Sequence, residues 1–336
     1  MKPTRLAVLA LAAVALAGCG GSSDGSNKSD SSAAPPASSA DFPSPKGHSL
    51  QELRQGLSPG PVLAPTVSIV GTGKDRYGFG LFDRARKQIA QAPVALYVEK
   101  SGSRVVHGPF LARDLPLSVK PAFQSETVAK DPDAAKSLYV ADLDVKKAGD
   151  YAVLGVAKLD GRLVATDPIY LGVGKPSQVP AVGQKAPVID TPTVKSAGGD
   201  IASIDTRVPP DTMHDVNFAD VVGKKPIILV FATPALCQSR VCGPVVDIAE
   251  EVKSEHKDDN VAFIHMEIYN HNKIAAGCLD GTKLDGQCLR PQVLAYHLPT
   301  EPWAFAIDRH GKIVARLEGA FSKGELEAAL KLAEAR

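Results

Sequence analysis

Four cysteines in the C-terminal half are the residues with the clearest chemical potential in this sequence. Cys237 and Cys242 stand five positions apart, and Cys278 and Cys288 stand ten positions apart. Thiols in pairs can form disulfides, exchange them with other proteins or bind a soft metal ion. Four cysteines allow three pairings. Proximity in the chain favours Cys237 with Cys242 and Cys278 with Cys288.

The N-terminus indicates the compartment in which these thiols work. Lys2 and Arg5 precede an apolar run over residues 6–17, which has the layout of an export signal and is too short for a stable membrane span. The run closes with Leu-Ala-Gly-Cys at 16–19, which resembles the bacterial lipobox. The resemblance implies a lipid on Cys19 that anchors the protein to the membrane at the extracytoplasmic face of the cell envelope. A plain secreted protein with an incidental Cys19 is the alternative. Disulfides persist in either location.

Length and composition restrict the classes of function. The chain has 336 residues, enough for about two domains, and its formal net charge of +1 provides no basic excess for binding nucleic acid. Changes in composition along the chain divide it into five parts. We expect a signal peptide at 1–18, a disordered tether rich in Ser, Gly and Pro at 19–58, a β-sandwich at 59–175, a linker at 176–184 and an α/β domain at 185–336.

The first domain has the pattern of an all-β protein. Apolar residues alternate with polar ones in short runs, and the run at 139–145 predicts that Tyr139, Ala141, Leu143 and Val145 face inward. Gly-Asp-Tyr at 149–151 resembles the tyrosine corner of immunoglobulin-like domains, which implies an immunoglobulin-like sandwich. No catalytic cluster is visible in this half, so we interpret the domain as a spacer or binding module.

In the second domain, strands alternate with helices. The pattern predicts strands at 227–231, 261–268, 304–307 and 313–317, a helix from Val245 onward, and a last helix that opens with a capping box at Ser322 and Glu325. Cys242 thus stands where a strand leads into a helix N-terminus. The helix dipole and free backbone N–H groups lower the pKa of a thiol placed there and make it nucleophilic.

Three motifs in this half resemble the thioredoxin-like superfamily, from about 182 to 336. They are Val-Phe-Ala-Thr-Pro at 230–234, Cys-Gly-Pro at 242–244, and Glu-Pro-Trp-Ala-Phe-Ala-Ile-Asp at 301–308. The resemblance implies a thioredoxin-like α/β fold and makes Pro302 the cis-proline beside the active cysteine. The chain departs from the family at Val245, in place of the second active-site cysteine, and at Val230, in place of a buried acid. Without that acid we expect slower resolution of mixed disulfides.

These observations predict a thiol-disulfide oxidoreductase that needs no cofactor. Cys242 is expected to attack a disulfide of an exported protein partner, and Cys237 to resolve the product, with Pro302 shaping the substrate groove. Arg240 is a possible assisting group because it adds positive potential near the thiol. The main alternative, from another class, is a binding or scaffold lipoprotein in which the pair is an inert disulfide.

Two further alternatives share the scaffold. Sco-like copper carriers use two cysteines and a histidine, which points to Cys237, Cys242 and His297 as a copper site. Peroxiredoxins carry Thr or Ser three residues before the peroxidatic cysteine, and Ser239 has that spacing from Cys242. Peroxide consumption and copper(I) binding separate these chemistries from disulfide exchange.

The remaining polar residues receive structural interpretations. A disulfide between Cys278 and Cys288 is expected to clip a loop, with a redox relay as the alternative. Asp280 and Asp285 in that loop fit turns better than a calcium site. Met213 and His214 lie in a Pro- and Asp-rich stretch expected at the surface, and His265 is expected to be exposed or satisfied by hydrogen bonds.

Overall fold

The structure is a computed structural model that describes residues 37–257, 259–274, 278 and 287–336. The export signal, Cys19 and the first part of the predicted tether lie outside the described residues. The described residues belong to a single compact unit of the chain. In the described ranges, no helix combines the length and the apolar character that crossing a membrane requires.

Nine strands of the N-terminal half form one large curled β-sheet, with spatial order β1-β8-β7-β4-β5-β6-β3-β2 and β9 added beside β7. Because hydrogen bonding runs continuously through this order, the immunoglobulin-like sandwich of two separate sheets is not confirmed. The hydroxyl of Tyr151 donates to the Lys147 carbonyl at 2.7 Å, which is the bond of a tyrosine corner. The strands are β1 (Ser58–Pro59), β2 (Val62–Pro65), β3 (Gly73–Phe82), β4 (Val94–Lys100), β5 (Val106–Pro116), β6 (Ser137–Val145), β7 (Gly149–Leu159), β8 (Arg162–Ala165) and β9 (Ile169–Val173).

Strand β6 shows how the alternating pattern is used. Tyr139, Ala141, Leu143 and Val145 are buried on one face, as predicted. Val140, on the other face, is buried as well, because the second domain packs against it. The pattern therefore identified the inner face, and the docking of a second domain covered part of the outer one.

The segment before the sheet is folded, so the prediction of a tether up to residue 58 is wrong for its last part. A 3-10 helix (Ser39–Asp41) and helix α1 (Leu50–Gln55) lie in this segment. The side chains of Phe42, Leu50 and Leu53 are buried in a cluster that includes Tyr97. The reason is hydrophobic burial: these three apolar residues interrupt an otherwise polar stretch and find an apolar surface on the sheet.

The second domain has the element order predicted from the sequence and implied by the thioredoxin-like resemblance. Its four-stranded sheet has the order β11-β10-β12-β13, with β10 parallel to β11 and antiparallel to β12. The long helices pack together on one face, and the shorter ones pack on the other. The elements are α3 (Phe218–Val221), β10 (Ile227–Phe231), α4 (Cys242–Glu255), β11 (Ala262–Met266), α5 (Pro291–Ala295), β12 (Trp303–Ile307), β13 (Ile313–Glu318) and α6 (Lys323–Glu334).

The two domains share a hydrophobic core. Leu117, Leu138 and Val140 of the first domain pack in the same cluster as the buried face of α4. The carboxylate of Glu318 accepts hydrogen bonds from the backbone N–H and the hydroxyl of Ser68, at 2.7 and 2.5 Å. The first domain therefore supports the second directly, which a detached spacer would not do.

Candidate functional site

The loop between β10 and α4 brings Cys237 and Cys242 together. Two turns shape the loop: the Cys237 N–H donates to the Thr233 carbonyl, and the Arg240 N–H donates to the Cys237 carbonyl, both at 3.2 Å. The Cα atoms of the two cysteines are 5.9 Å apart, and their sulfurs form a disulfide. Cys278 and Cys288 form the second disulfide. Both pairings that proximity favoured are confirmed.

The two sulfurs of the first disulfide differ in exposure. Cys242 begins α4, has 0% of its surface exposed and lies in the core with Val241 and Val245. Cys237 lies on the loop and is partly exposed. The sequence assigned Cys242 as the attacking thiol, whereas in the oxidised structure its sulfur is buried, because the start of α4 packs in the core shared by the two domains. Of the two residues, Cys237 is the one with surface open to solvent.

A carboxyl group lies beside the buried sulfur. The Oε2 atom of Glu301 is 3.6 Å from the Sγ atom of Cys242, and the hydroxyl of Tyr269 donates to Oε1 at 3.2 Å. Burial raises the pKa of Glu301 to about 8, against the smaller opposing effect of the Tyr269 hydrogen bond. The group is therefore largely protonated at neutral pH and can give a proton to a neighbouring thiolate.

Sequence reasoning missed Glu301. It placed Val230 at the position of the family's buried acid and expected no replacement. The available signal was the neighbour of Glu301: Pro302, which the resemblance puts beside the active cysteine. The structure shows a cis Glu301–Pro302 peptide bond, and Pro302 is buried at the start of β12. The residue before that proline thus faces the cysteine pair.

The two predicted assisting residues have other contacts. Arg240 lies with Nη1 2.8 Å from a carboxylate oxygen of Asp131 and 2.8 Å from one of Asp133, so its positive charge is balanced by two negative ones. Ser239 lies with its hydroxyl 3.2 Å from the Sγ atom of Cys237. The structure thus brings Ser239 to the exposed sulfur, whereas the sequence spacing had linked it to Cys242.

The connection between β5 and β6, residues 117–136, forms one wall of the site. It contains helix α2 (Glu126–Lys130), and Ala135 donates its N–H to the Arg240 carbonyl at 3.3 Å. A Cβ atom on Gly243 would come within 2.7 Å of the Val128 side chain. Any other residue at this position would therefore require Val128 to move. This wall leaves the loop that carries Cys237 as the open side of the pair.

A buried ion pair holds this wall onto α4. The Asp247 carboxylate accepts from the Arg207 Nε at 2.9 Å, and its other oxygen accepts from the backbone N–H and hydroxyl of Ser125, at 2.9 and 3.1 Å. Arg207 also donates to the carbonyl of Phe123 at 2.6 Å. Burial raises the pKa of Asp247, although these donors oppose the shift. The arrangement joins both domains one helical turn beyond Cys242.

The ligand set around the pair differs from the predicted copper site. In the described part of the chain, the metal-ligating atoms gathered here within 4.8 Å of one another belong to Cys237, Cys242 and Glu301. His297 is exposed just beyond α5 and is not in this group. Imidazole, the third ligand that the copper interpretation requires, is therefore replaced by a carboxyl group.

The second disulfide lies near the same carboxyl group. The Cys288 carbonyl accepts from the Asn270 N–H at 3.0 Å, next to Tyr269, and Leu289 forms a β-bridge with Tyr269. Cys278 and Cys288 are buried. Asp280 and Asp285, which we interpreted as turn residues, lie outside the described residues. On the described side, the disulfide anchors the chain segment that carries the hydroxyl bound to Glu301.

Fold and site together define a mixed α/β protein with a disulfide at the start of helix α4 in its second domain. No protein-family model matches the chain, and no curated protein matches it. Among solved structures, it is similar to a thiol:disulfide interchange protein DsbE from Chlorobium tepidum, with 18% identity, 46% of this chain and 98% of that chain covered and a TM-score of 0.30. A thiol:disulfide interchange protein of the thioredoxin family from Chlorobium tepidum TLS is similar at 16% identity over 46% of this chain and 97% of that one, with a TM-score of 0.30. The thioredoxin-like superfamily protein SPOA0173 is similar at 23% identity over 35% and 85%, with a TM-score of 0.28. TM-scores at this level carry no argument about function.

Proposed function

We propose that this protein is a thiol-disulfide oxidoreductase that works through the Cys237–Cys242 pair. One observation carries the proposal: the pair has one partly exposed sulfur and one buried sulfur, and the buried sulfur lies 3.6 Å from a carboxyl oxygen of Glu301. A disulfide that only staples a loop needs neither the difference in exposure nor a proton donor. Both features favour exchange, because one sulfur must be open to attack while the other leaves as a thiolate.

The exposure of the sulfurs determines their roles, which are the reverse of those expected from the sequence. A thiolate of the partner attacks the Sγ atom of Cys237 and forms a mixed disulfide, while the S–S bond to Cys242 breaks. The electron pair of that bond stays on Cys242 as a thiolate. The helix N-terminus stabilises this thiolate, since Cys242 is the first residue of α4.

Glu301 moves the proton in this scheme. In the forward step, its carboxyl proton passes to the Cys242 thiolate and leaves a carboxylate. In the second step, a second partner thiolate releases the partner as a disulfide and leaves Cys237 reduced. In the opposite direction, the Glu301 carboxylate takes the proton of the Cys242 thiol, and the resulting thiolate attacks the mixed disulfide on Cys237. A pKa of about 8 allows the group to act in both directions near neutral pH.

The residues around the pair have positioning roles in this proposal. The Ser239 hydroxyl, 3.2 Å from the Cys237 sulfur, can donate a hydrogen bond to the Cys237 thiolate. Arg240 is held by Asp131 and Asp133 and fixes the loop against the first domain. Pro302 is buried, so it supports the position of Glu301 more directly than it lines a groove.

The proposed location and partners depend on the sequence. The export signal and the Leu-Ala-Gly-Cys motif support a lipid anchor on Cys19 at the extracytoplasmic face of the cell envelope. There the partners are thiols or disulfides of exported proteins. Labelling with a palmitate analogue that is lost in Cys19→Ser tests the anchor, and retention of the label in that variant contradicts it.

A redox-buffer titration of the chain from residue 20 onward tests the activity. Alkylation and mass spectrometry report the four cysteines separately. We expect a Cys237–Cys242 couple that exchanges readily at a potential above about −250 mV, while Cys278 and Cys288 stay oxidised. If the pair remains oxidised below about −300 mV, the disulfide is structural. The interpretation as a binding or scaffold lipoprotein would then replace the proposed activity.

The copper and peroxidase alternatives lack a comparable observation. A peroxidatic Cys242 would have to meet peroxide, and this cysteine is fully buried in the structure. The copper interpretation needs His297 beside the pair, and the structure places a carboxyl group there. Disulfide exchange is the chemistry that the described contacts support.

A further inference from the structure

A second cluster of chemically active side chains lies under the loop that carries Cys237. It consists of Asp205, Asp211, His214 and His265, which are at most 3% exposed. His265 lies near the C-terminal end of β11, and the other three come from the segment before α3. The expectation that His214 lies at the surface is wrong, because its segment folds across the sheet and places the imidazole in the interior.

His214 is the unusual member of this cluster. It is 2% exposed, and neither of its ring nitrogens has a hydrogen-bond partner among the described residues. A buried polar group without a partner destabilises the folded state. Its Nε2 atom faces two carboxylates, at 3.5 Å from Asp211 and 3.8 Å from Asp205. An imidazole nitrogen at these distances from two carboxylates can bind the same cation as both of them.

The distances in the cluster fit a small metal ion. Two ligands that each lie about 2.0–2.1 Å from a tetrahedral zinc ion are about 3.3–3.5 Å apart, and further apart when the angle opens. His214 Nε2 meets the two carboxylates at 3.5 and 3.8 Å, and His265 Nδ1 lies 3.9 Å from Asp205. One ligand atom from each of the four residues can be chosen so that all lie within 4.8 Å of one another.

The hydrogen bonds around the cluster match the outer shell of a metal site. His265 Nε2 lies 3.1 Å from the carbonyl oxygen of Ala232, to which it donates, and this leaves Nδ1 to face the cluster. Asp205 accepts from the Arg207 N–H at 2.8 Å, and Asp211 accepts from the Met213 N–H at 2.7 Å. Ligating histidines and carboxylates are typically oriented in this way by backbone groups.

We propose that Asp205, Asp211, His214 and His265 bind one divalent transition-metal ion of the zinc class. Two carboxylates and two neutral imidazoles balance the charge of a divalent ion, and this mixture of nitrogen and oxygen ligands suits zinc. His265 Nδ1 now lies 2.7 Å from Asp211 and shares a proton with it. On binding, the ion replaces that proton, which is released to solvent.

Such an ion would lie where the loop between β10 and α4, which carries Cys237, begins. Ala232, which receives the His265 hydrogen bond, directly follows β10 and begins the loop that leads to Cys237. The loop is tied to the same segment a second time, because the Ala235 N–H donates to the Thr206 hydroxyl at 3.1 Å. The proposed site therefore holds the segment before α3 to the start of the loop between β10 and α4. Its ligands do not include the sulfurs of Cys237 and Cys242.

The test is a Zn²⁺ titration of the chain from residue 20 onward in its oxidised form, in which the two disulfides keep the four remaining cysteines from binding metal. After chelator treatment and dialysis, we expect one bound Zn²⁺ per chain by elemental analysis and a higher midpoint of thermal unfolding with Zn²⁺. The matched control is His256→Gln, since His256 belongs to a partly exposed group with Asp259 and Glu334. This variant should still bind one ion, whereas His214→Gln and Asp205→Asn should bind none.

Co²⁺ provides a readout on the unaltered chain if the variants fail to fold. Co²⁺ in a tetrahedral nitrogen and oxygen site gives intense visible bands, which Zn²⁺ should abolish at one equivalent. A folded wild-type chain that binds neither ion, or a folded His214→Gln that still binds one Zn²⁺, overturns the proposal. Retained metal binding in the Cys237→Ser, Cys242→Ser double variant is expected as well, which separates this site from the proposed redox function.

Discussion

The Glu301 carboxyl group lies 3.6 Å from the sulfur of Cys242, although the two residues are 59 positions apart in the chain. The register of the central strands explains this contact. Phe231 at the end of β10 pairs with Trp303 at the start of β12 in an antiparallel ladder. The loop that follows β10 and the residues that precede β12 therefore meet at one edge of the sheet, and the carboxyl group reaches the start of α4.

Replacing Glu301 should slow disulfide exchange. In Glu301→Gln, the Cys242 thiolate leaves without a proton donor, so we expect the reduction rate per attacking thiolate to fall about 100-fold. In the wild type, the same rate should decline as pH rises through about 8, where the carboxyl group loses its proton. The variant should lack this inflection. Stopped-flow reduction by a small dithiol across pH 6 to 9 measures both effects.

The same residue should make stability depend on pH. Its folded pKa of about 8 lies above the ordinary carboxyl value of 4.5, so the folded state binds more protons between these values. The contribution to the free energy of unfolding is present below the lower value and declines as pH rises toward 8. Glu301→Gln should flatten this slope, whereas Glu250→Gln, at a partly exposed site bound to Thr212, should retain it. An unchanged slope in Glu301→Gln would contradict the assigned pKa.

Single cysteine variants should separate the roles of the two sulfurs. Cys242→Ser leaves the partly exposed Cys237 thiol, which should form a stable mixed disulfide with a model peptide disulfide. Cys237→Ser leaves only the buried Cys242, and we expect its alkylation to be at least about 10-fold slower, since reactivity follows access as well as pKa. Mass spectrometry of the trapped species measures both. Faster reaction of Cys242 than of Cys237 would restore the roles expected from the sequence.

The buried ion pair between Arg207 and Asp247 should be important for stability. Their side chains are 5% and 1% exposed, so Asp247→Asn leaves the Arg207 charge buried without its partner. We expect a loss of about 3–5 kcal/mol in the free energy of unfolding. Glu126→Gln removes an exposed pair with Lys130 and should cost less than about 0.5 kcal/mol. Urea unfolding compares the two, and equal effects would show that the buried pair has no special role.

The second disulfide should stabilise the protein without taking part in exchange. Its cysteines are ten positions apart, which corresponds to about 2–3 kcal/mol of lost loop entropy in the unfolded chain. Replacing both Cys278 and Cys288 by Ser should lower the free energy of unfolding by that amount and leave the exchange rate of Cys237 and Cys242 nearly unchanged. A loss of exchange in the folded double variant would favour the redox relay.

The segment that we expected to be a tether should contribute to stability. Phe42 is 6% exposed against the sheet, and Phe42→Ala should lower the free energy of unfolding by about 3 kcal/mol. Ser44→Ala, at an exposed position two residues further on, should have little effect. Thermal unfolding of both variants measures the difference. Matching midpoints would mean that the segment does not pack on the sheet in solution.

The sequence by itself determined the local features of the second domain. Compact apolar runs located its strands to within a few residues, and the Ser322 and Glu325 capping box correctly marked the start of α6. It also indicated the pairs Cys237–Cys242 and Cys278–Cys288, since cysteines close in the chain have few alternatives. These features depend on neighbours within a few positions, and the chain order records such neighbours directly.

The tertiary structure decided which groups surround the sulfurs and which side chains are buried. Glu301 reaches Cys242 because two antiparallel strands end side by side, and His214 is buried because its loop crosses the sheet. The first domain covers the start of α4 through a connection more than a hundred positions away. Burial and pKa depend on atoms that are close in space and distant in the chain, so no local pattern could have assigned the roles of Cys237 and Cys242.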